Sequence, residues 1–465
     1  NTYLSTFSWR YGSQEMRTIW SEENKRKQMR RVWVALATAQ HQAGLVSNDQ
    51  LNDLKSKACS IDIGRALEIE KETRHDVMAE IRTYAEQCPI GGKIIHLGAT
   101  SADVNDNVYA LRVKASAELL LRHLSDLLLS LALQIKESAH IPVMAHTHIQ
   151  PAEPSTLGYR LAVYGQDLLA CWQDVDHLVN HVKGKGFKGA VGTQASYAEL
   201  LDGREIDSFE METIAMETLG IPAFPVATQT YTRQQDLRII NVLATLATSM
   251  HKWAMDFRVL QSPPFGEWAE PFGKRQVGSS AMPFKRNPIN TENICSLARY
   301  IASLPGIAWD NASQAILERS LDDSANRRIF LAEGFLAADE MVRRMTRVVK
   351  DMVLDFDQMQ KNLEMYGPFA ATERVLMGLV ANGGDRQEGH EWLREQSLIA
   401  WEAMRREGDN PLVENLVADP RLLAFLSSDE IRDLMSAEAH IGTAPQRAEQ
   451  MAAEILSVVD PVPAG

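Results

Sequence analysis

An all-α fold built on long helices is predicted for this 465-residue chain by three observations. Ala102–His140 contains neither Gly nor Pro and is leucine-rich, as in Leu119-Leu120-Leu121 and Leu127-Leu128-Leu129. Gln229–Leu260 is also free of both. Its apolar residues Leu237, Ile240, Leu243, Leu246, Met250, Trp253, Phe257 and Leu260 step by threes and fours, the period of a helix stripe and not of a strand. Asp322–Val353 is interrupted only by Gly334.

The elements follow in chain order. The first hundred residues read as shorter helices joined by loops, Glu22–Gly44 among them. Ala102–His140 then predicts a single rod of roughly 60 Å at about 1.5 Å per residue. Ser155–Lys183 is helical in pattern, with Gly158 and Gly165 marking close packing against a neighbour. Strand signals are few, and Gly186–Tyr197 reads as a glycine-rich, extended excursion. After about residue 355 shorter, charge-rich helices return, with breaks expected at Gly367-Pro368, Gly383-Gly384 and Asn410-Pro411. Three helical domains are expected: an N-terminal one over 1–100, a central long-helix bundle over 101–354 and a C-terminal one over 355–465. Long helices need long partners, which predicts a bundle shared between subunits.

Hydrophobic residues make up 45% of the chain and charged residues 23%, the balance of a globular protein. Forty-eight basic against 61 acidic residues leave a net charge of −13, which argues against a nucleic-acid partner. Cys59, Cys88, Cys171 and Cys295 are scattered without metal-ligand spacing and read as free thiols in a reducing compartment. No segment reaches the roughly 18 consecutive apolar residues of a membrane span, and Asn1–Arg10 lacks the pattern of a secretory signal. A cytoplasmic location, no membrane partner and no metal are expected.

The segment richest in chemistry is Gly278-Ser279-Ser280-Ala281-Met282-Pro283-Phe284-Lys285-Arg286-Asn287-Pro288. Gly/Ser/Pro stretches are most often plain surface loops. Yet Lys274–Arg286 carries four basic residues and no acidic one, which suits a mobile lid closing over an anion. GSSAMPFKRNP resembles the signature loop GSSxMPxKxNP of the fumarase/aspartase superfamily. Thr73-Arg74-His75-Asp76-Val77, His96–Ser101, Thr147-His148-Ile149-Gln150-Pro151-Ala152, Gln229-Thr230-Tyr231-Thr232-Arg233 and Leu321–Arg328 resemble the adenylosuccinate lyase family within it, nearest to the longer branch that includes the animal enzymes. The resemblance runs from about Arg10-Tyr11 to about Arg386 and weakens in the last domain.

That resemblance implies a fumarase/aspartase-type long helical bundle, assembled as a homotetramer with sites shared between subunits, and no cofactor. It implies a β-elimination that releases fumarate from a phosphorylated succinyl-purine or succinyl-imidazole ribotide. His148 matches the general acid, a role suited to an imidazole titrating near neutrality. Ser279 matches the general base, with Ser280 the less favoured neighbour. Read from the residues alone, His75 would be the base; in the resemblance it assists. Lys285 matches a cation held against the developing aci-carboxylate, and Glu292 the carboxylate that orients the acid. Arg10, Tyr11, Arg74, Asp76, Thr100, Ser101, Gln229, Arg319, Ser324 and Arg328 match substrate-binding positions, where arginine can grip phosphate or carboxylate bidentately.

Each residue has a plainer reading as well. An isolated histidine more often caps or packs on a helix end, Glu292 and Lys285 could be solvated surface groups, and Leu321–Arg328 reads as a helix entry with Asp323 or Ser324 as cap. Asn293 stands where the animal enzymes carry arginine, and Ala190-Val191 replaces a pair of threonines, so the handling of the two substrates is left open. The competing functions are another fumarate-releasing enzyme such as argininosuccinate lyase, and a catalytically silent structural relative. The presence of His75, His148, Ser279, Lys285 and Glu292 together argues against the latter.

Overall fold

The computed structural model describes residues 2–273, 275–276, 278, 281–282 and 284–459. Long helices dominate, and the chain is all-α apart from short two-stranded pairings. The segments that order the fold are helices α1 (Glu22–Gln42), α2 (Ile63–Thr73), α3 (Asp76–Gln87) and α4 (Ser101–Glu137), then a hairpin of β1 (Pro142–Thr147) and β2 (Gln150–Thr156). Helices α5 (Leu157–His181), α6 (Gln234–Gln261), α7 (Ile289–Ser313), α8 (Asp323–Asp351) and α9 (Phe356–Ala381) follow.

The contacts divide the chain into two compact units. One holds the chain up to Leu124, Cys171–Thr248 and Ser296–Val342; the other holds Ser125–Ala170, Ser249–Cys295 and Arg343 onwards. The dividing points fall inside α4, α5, α6, α7 and α8.

The Gly- and Pro-free stretches fold as the pattern predicts. Along α4, Val104, Val108, Leu111, Leu119, Leu120, Leu124, Leu127, Leu128 and Leu131 are all buried, a stripe wide enough to pack on more than one neighbour. Gly158 and Gly165 are where α5 meets other chain closely. A methyl group on Gly158 would lie 2.5 Å from Ala139 Cα, and one on Gly165 would lie 2.9 Å from Ile455 Cδ1.

Three expectations need correction. Gly367-Pro368 does not break a helix, because α9 runs through it with both residues buried. Proline removes one donor and crowds the preceding turn. Gly367 lets Ala437 approach to within 2.5 Å of where its Cβ would be, so the helix is closely packed at this point. Gly186–Gln194 is an irregular loop, not an extended strand, turning through left-handed Gly186, Gly189, Gly192 and Gln194 before a short helix at Ala195–Leu200. The hairpin, which the sequence did not suggest, pairs Thr147 with Gln150 around a two-residue turn, His148-Ile149. Pro151 and Pro154 in β2 argue against a strand, and His-Ile is far from the Asn-Gly such turns favour.

Among the described residues no helix is long and apolar enough to cross a membrane. Cys88, Cys171 and Cys295 are buried and Cys59 is exposed.

Candidate functional site

A corner between two helices supplies the first functional side chains. Helix α2 ends with Arg74 in the left-handed region at φ 54°, its N–H on Glu70 O at 2.7 Å. His75 then caps α3, its Nδ1 accepting the Met78 N–H at 3.3 Å. That hydrogen bond fixes the tautomer with the proton on Nε2. Asp76 follows, with Oδ1 accepting from Val77 N–H at 2.8 Å and Oδ2 from Arg328 at 2.9 Å. Burial opposes the charge on Asp76, but Lys25 and Arg328 outweigh it and hold the carboxyl below the usual carboxylate range.

Thr100-Ser101 opens α4 and is held by one fully buried carboxylate. Asp103 accepts from Thr100 N–H at 3.0 Å, Lys185 Nζ at 2.5 Å, Tyr197 Oη at 3.2 Å and the Lys188 and Gly189 N–H groups. Asp103 thereby ties the glycine-rich loop to the start of the helix, whose free N–H groups favour an anion.

Below them runs a chain of alternating charges. Arg327 reaches Asp236 at 2.5 Å and Asp106 at 3.0 Å; Asp106 takes Arg233 at 3.1 Å. Arg233 continues to Asp323 at 2.5 Å, and Asp323 to Arg319 at 2.8 Å. Tyr231 donates to Asp236 at 2.7 Å, and Tyr109 lies under Arg327 at 4.1 Å. Burial works against Asp106 as well, and Arg233 and Arg327 outweigh it, keeping the carboxyl low. Fully partnered ions are the condition under which charge can be buried at all. Asp323, offered by the sequence as a helix cap, spends its two oxygens on Arg233 and Arg319.

These elements enclose one cavity of about 490 Å³. Of the sequence-predicted residues it gathers Arg74, His75, Asp76, Thr100, Ser101, Gln229, Arg319, Ser324 and Arg328. Lys25, Asp106, Tyr109, Arg233 and Arg327 also line it and had not been singled out. Arg233 and Arg327 lay within recognised motifs without a role, while Asp106 and Tyr109 lie three residues apart on α4, the helix that Ser101 opens. Six basic side chains face four acidic ones around the cavity, the reverse of the whole chain's balance and suited to an anion.

Other candidates stand outside this lining. Arg10 and Tyr11 precede a strap fastened to α8, with Gly12 N–H on Glu340 at 3.1 Å and Ser13 N–H on Asp339 at 2.5 Å. His148 is exposed at the hairpin turn, where it and Ile149 take φ of 55° and 61°. Histidine tolerates that region, a β-branched residue is strained in it. Glu292, in the first turn of α7, lies 3.9 Å from Arg258, and no ion pair joins it to His148 among the described residues. Lys285 is exposed on the loop whose ends are joined by Asn287 donating to Gly278 O at 3.1 Å. Gly278 is required there, since a methyl group would lie 2.0 Å from Lys285 O. Ser279 and Ser280 lie outside the described residues. Among the described residues no group of three or more His, Cys, Asp or Glu is placed to hold a metal ion.

Residues 10–302 match the family model described as Lyase, and residues 368–451 that described as Adenylosuccinate lyase C-terminus. Adenylosuccinate lyase of Schistosoma mansoni is 39% identical over 90% of this chain and 88% of its own length. That of Schizosaccharomyces pombe is 36% identical over 96% and 93%, and that of Archaeoglobus fulgidus 34% over 95% and 96%. Among solved structures, a fumarate lyase from Mesorhizobium sp. BNC1 superposes with a TM-score of 0.83 at 21% identity, covering 97% of this chain and all of that one. The 3-carboxy-cis,cis-muconate lactonizing enzyme from Pseudomonas putida does so at 0.85 and 23%, covering 97% and 99%; at such identities the fold alone is shared. The sequence matches carry further: the chain is an enzyme, a lyase acting on a small molecule, and it belongs to the adenylosuccinate lyase family.

Proposed function

We propose that this enzyme eliminates fumarate from adenylosuccinate, leaving AMP, and from the succinylaminoimidazole carboxamide ribotide, leaving the free carboxamide. The observation that carries the reading is the cavity that unites Arg74, His75, Asp76, Thr100, Ser101, Gln229, Arg319, Ser324 and Arg328 with a surplus of cations. Both substrates bring one phosphate and two carboxylates, and arginine forks and a helix N-terminus are the groups that hold such anions.

In the reaction, Ser279 removes a proton from the succinyl carbon beside a carboxylate, and the charge passes into that carboxylate as an aci-anion. Lys285 stabilises it. The C–N bond then breaks, its electron pair leaves with the nitrogen, and His148 supplies the proton. Glu292 orients His148, and His75 assists through Nε2. Nothing besides substrate is consumed. His148, Lys285 and Glu292 lie in other stretches of the sequence than the motifs of the cavity, which suits a homotetramer whose sites combine residues of several subunits. Large exposed apolar side chains, among them Trp309, Ile316, Leu317, Leu321 and Ile329, support self-association. The three domains, 1–100, 101–354 and 355–465, and a cytoplasmic location complete the reading.

The test is incubation with each substrate and quantification of fumarate and the nucleotide, beside a Ser279→Ala control. Equimolar products from the wild type and almost none from the variant are expected. Fumarate from both would move the base to Ser280 or His75. No product from either substrate would overturn the reading.

A further inference from the structure

Lys25 lies one turn into α1, and its side chain, 16% exposed, lines the cavity. Two carboxylates neighbour its ammonium: Glu22 Oε1 at 3.6 Å and Asp76 Oδ2 at 3.7 Å. An arginine already holds each of these two oxygens more closely. Arg26 is 3.0 Å from Glu22 Oε1, and Arg328 is 2.9 Å from Asp76 Oδ2. The other oxygen of Asp76 accepts the Val77 N–H at 2.8 Å. Among the described residues, then, no acceptor lies within hydrogen-bonding distance of Lys25 Nζ. Its three donors face a cavity in which cations outnumber anions.

An ammonium without a hydrogen-bond partner on a mostly buried side chain is placed to gain a charge-assisted one once an oxyanion arrives. Lys25 and Arg328 flank the Asp76 carboxylate, in a lining where six basic side chains face four acidic ones. Burial of Asp76 opposes its ionisation, and Lys25 and Arg328 outweigh that. The arrangement differs from that of Arg319, whose guanidinium is bound to Asp323 at 2.8 Å.

We propose that Lys25 is a further substrate-binding residue, donating to an anionic oxygen of the substrate, a carboxylate or a phosphate. The proposal rests on the function given above. It also accounts for the geometry that a structural role does not, since Glu22 and Asp76 keep closer arginine partners if Lys25 is removed.

The experiment compares full-length wild type with Lys25→Met and Lys25→Arg, measuring KM and kcat for adenylosuccinate, the Kd of AMP and of fumarate by calorimetry, and thermal melting. Loss of one charge-assisted contact is expected to raise KM about tenfold or more in Lys25→Met, with a smaller change in kcat, and Lys25→Arg is expected to recover part of the loss. Weaker binding of AMP with fumarate unchanged assigns the phosphate as the partner; the reverse assigns a carboxylate. Unchanged KM and unchanged affinity for both products in a folded Lys25→Met overturn the proposal, as does a fall confined to kcat. If Lys25→Met melts far below wild type, Lys25→Gln, which lacks the charge but keeps a polar end, decides: wild-type melting with an unchanged KM and unchanged product affinities overturns it, and a raised KM upholds it. A wild type that releases no fumarate from adenylosuccinate sinks the proposed function instead, and the two failures are thereby distinct.

Discussion

Arg327 and Asp106 meet at 3.0 Å across 221 residues of sequence, both nearly excluded from solvent. The pair joins the start of α8 to the start of α4, the two helix ends that carry Ser324, Arg328, Thr100 and Ser101. Asp106 also neutralises Arg233, so its loss would leave two buried guanidinium groups with one carboxylate each, Asp236 for Arg327 and Asp323 for Arg233. Asp106→Ala is expected to cost about 3–5 kcal/mol of stability, measured by urea denaturation. A loss below about 1 kcal/mol would mean that water enters and solvates the arginines.

Two glycines should respond to alanine in opposite directions. At Gly158 the added methyl would press on Ala139 and Ile135 backbone atoms at 2.5–2.7 Å, and backbone cannot swing aside. Gly158→Ala is expected to destabilise by roughly 1–3 kcal/mol. Gly306, within α7, has nothing within 4 Å, so Gly306→Ala is expected to stabilise by about 0.5–1 kcal/mol through helix propensity and a less flexible unfolded chain. Thermal melting of the two variants checks both signs.

His96 gives the fold a pH dependence of calculable sign. Its Nδ1 accepts from the buried Trp33 Nε1 at 3.1 Å, and burial pushes its pKa below the ordinary histidine value, Asp103 opposing without reversing the shift. As pH falls through the unfolded value of about 6.5, the unfolded chain takes up a proton that the folded one refuses. Stability is therefore lost from there down to the lowered folded value, with a slope of up to about 1.4 kcal/mol per pH unit. His96→Asn, which can accept from Trp33 and tolerates φ 70°, should flatten the dependence of melting temperature on pH below about 6.5. Parallel curves for the two proteins would assign the dependence to other groups.

The hairpin turn separates chemistry from folding at His148. Asparagine also adopts the left-handed conformation, so His148→Asn keeps the turn and removes the proposed acid. The turnover rate is expected to fall about 10²- to 10⁴-fold with the melting temperature unchanged. A variant with more than about a tenth of wild-type turnover would take the role of acid away from this histidine.

Much of this was legible in the sequence, and for a physical reason. Helices longer than about 25 residues repeat their period often enough to be read, as α4, α6 and α8 were. Gly158 announced a close contact because little else explains glycine inside such a stripe. The hairpin was hidden by Pro151, Pro154 and a His-Ile turn, each contrary to local preference and each overridden by tertiary packing of Val143 and Met144, both fully buried. Pro368 misled for the same reason. At the site, motif residues were found because their spacing is local, whereas Asp106 and Lys25 neighbour charged groups 51 to 221 residues away that no local pattern reveals.

The division of the chain inside α4, α5, α6, α7 and α8 has a genetic consequence. Neither unit is an uninterrupted stretch of the polypeptide, so no single truncation of the gene yields one of them, and each cut point interrupts a helix in mid-length. Recombination between relatives would have to cross over five times to exchange one unit whole. A protein threaded in this way changes by point substitution or by lengthening its loops and ends, and its two units are inherited together.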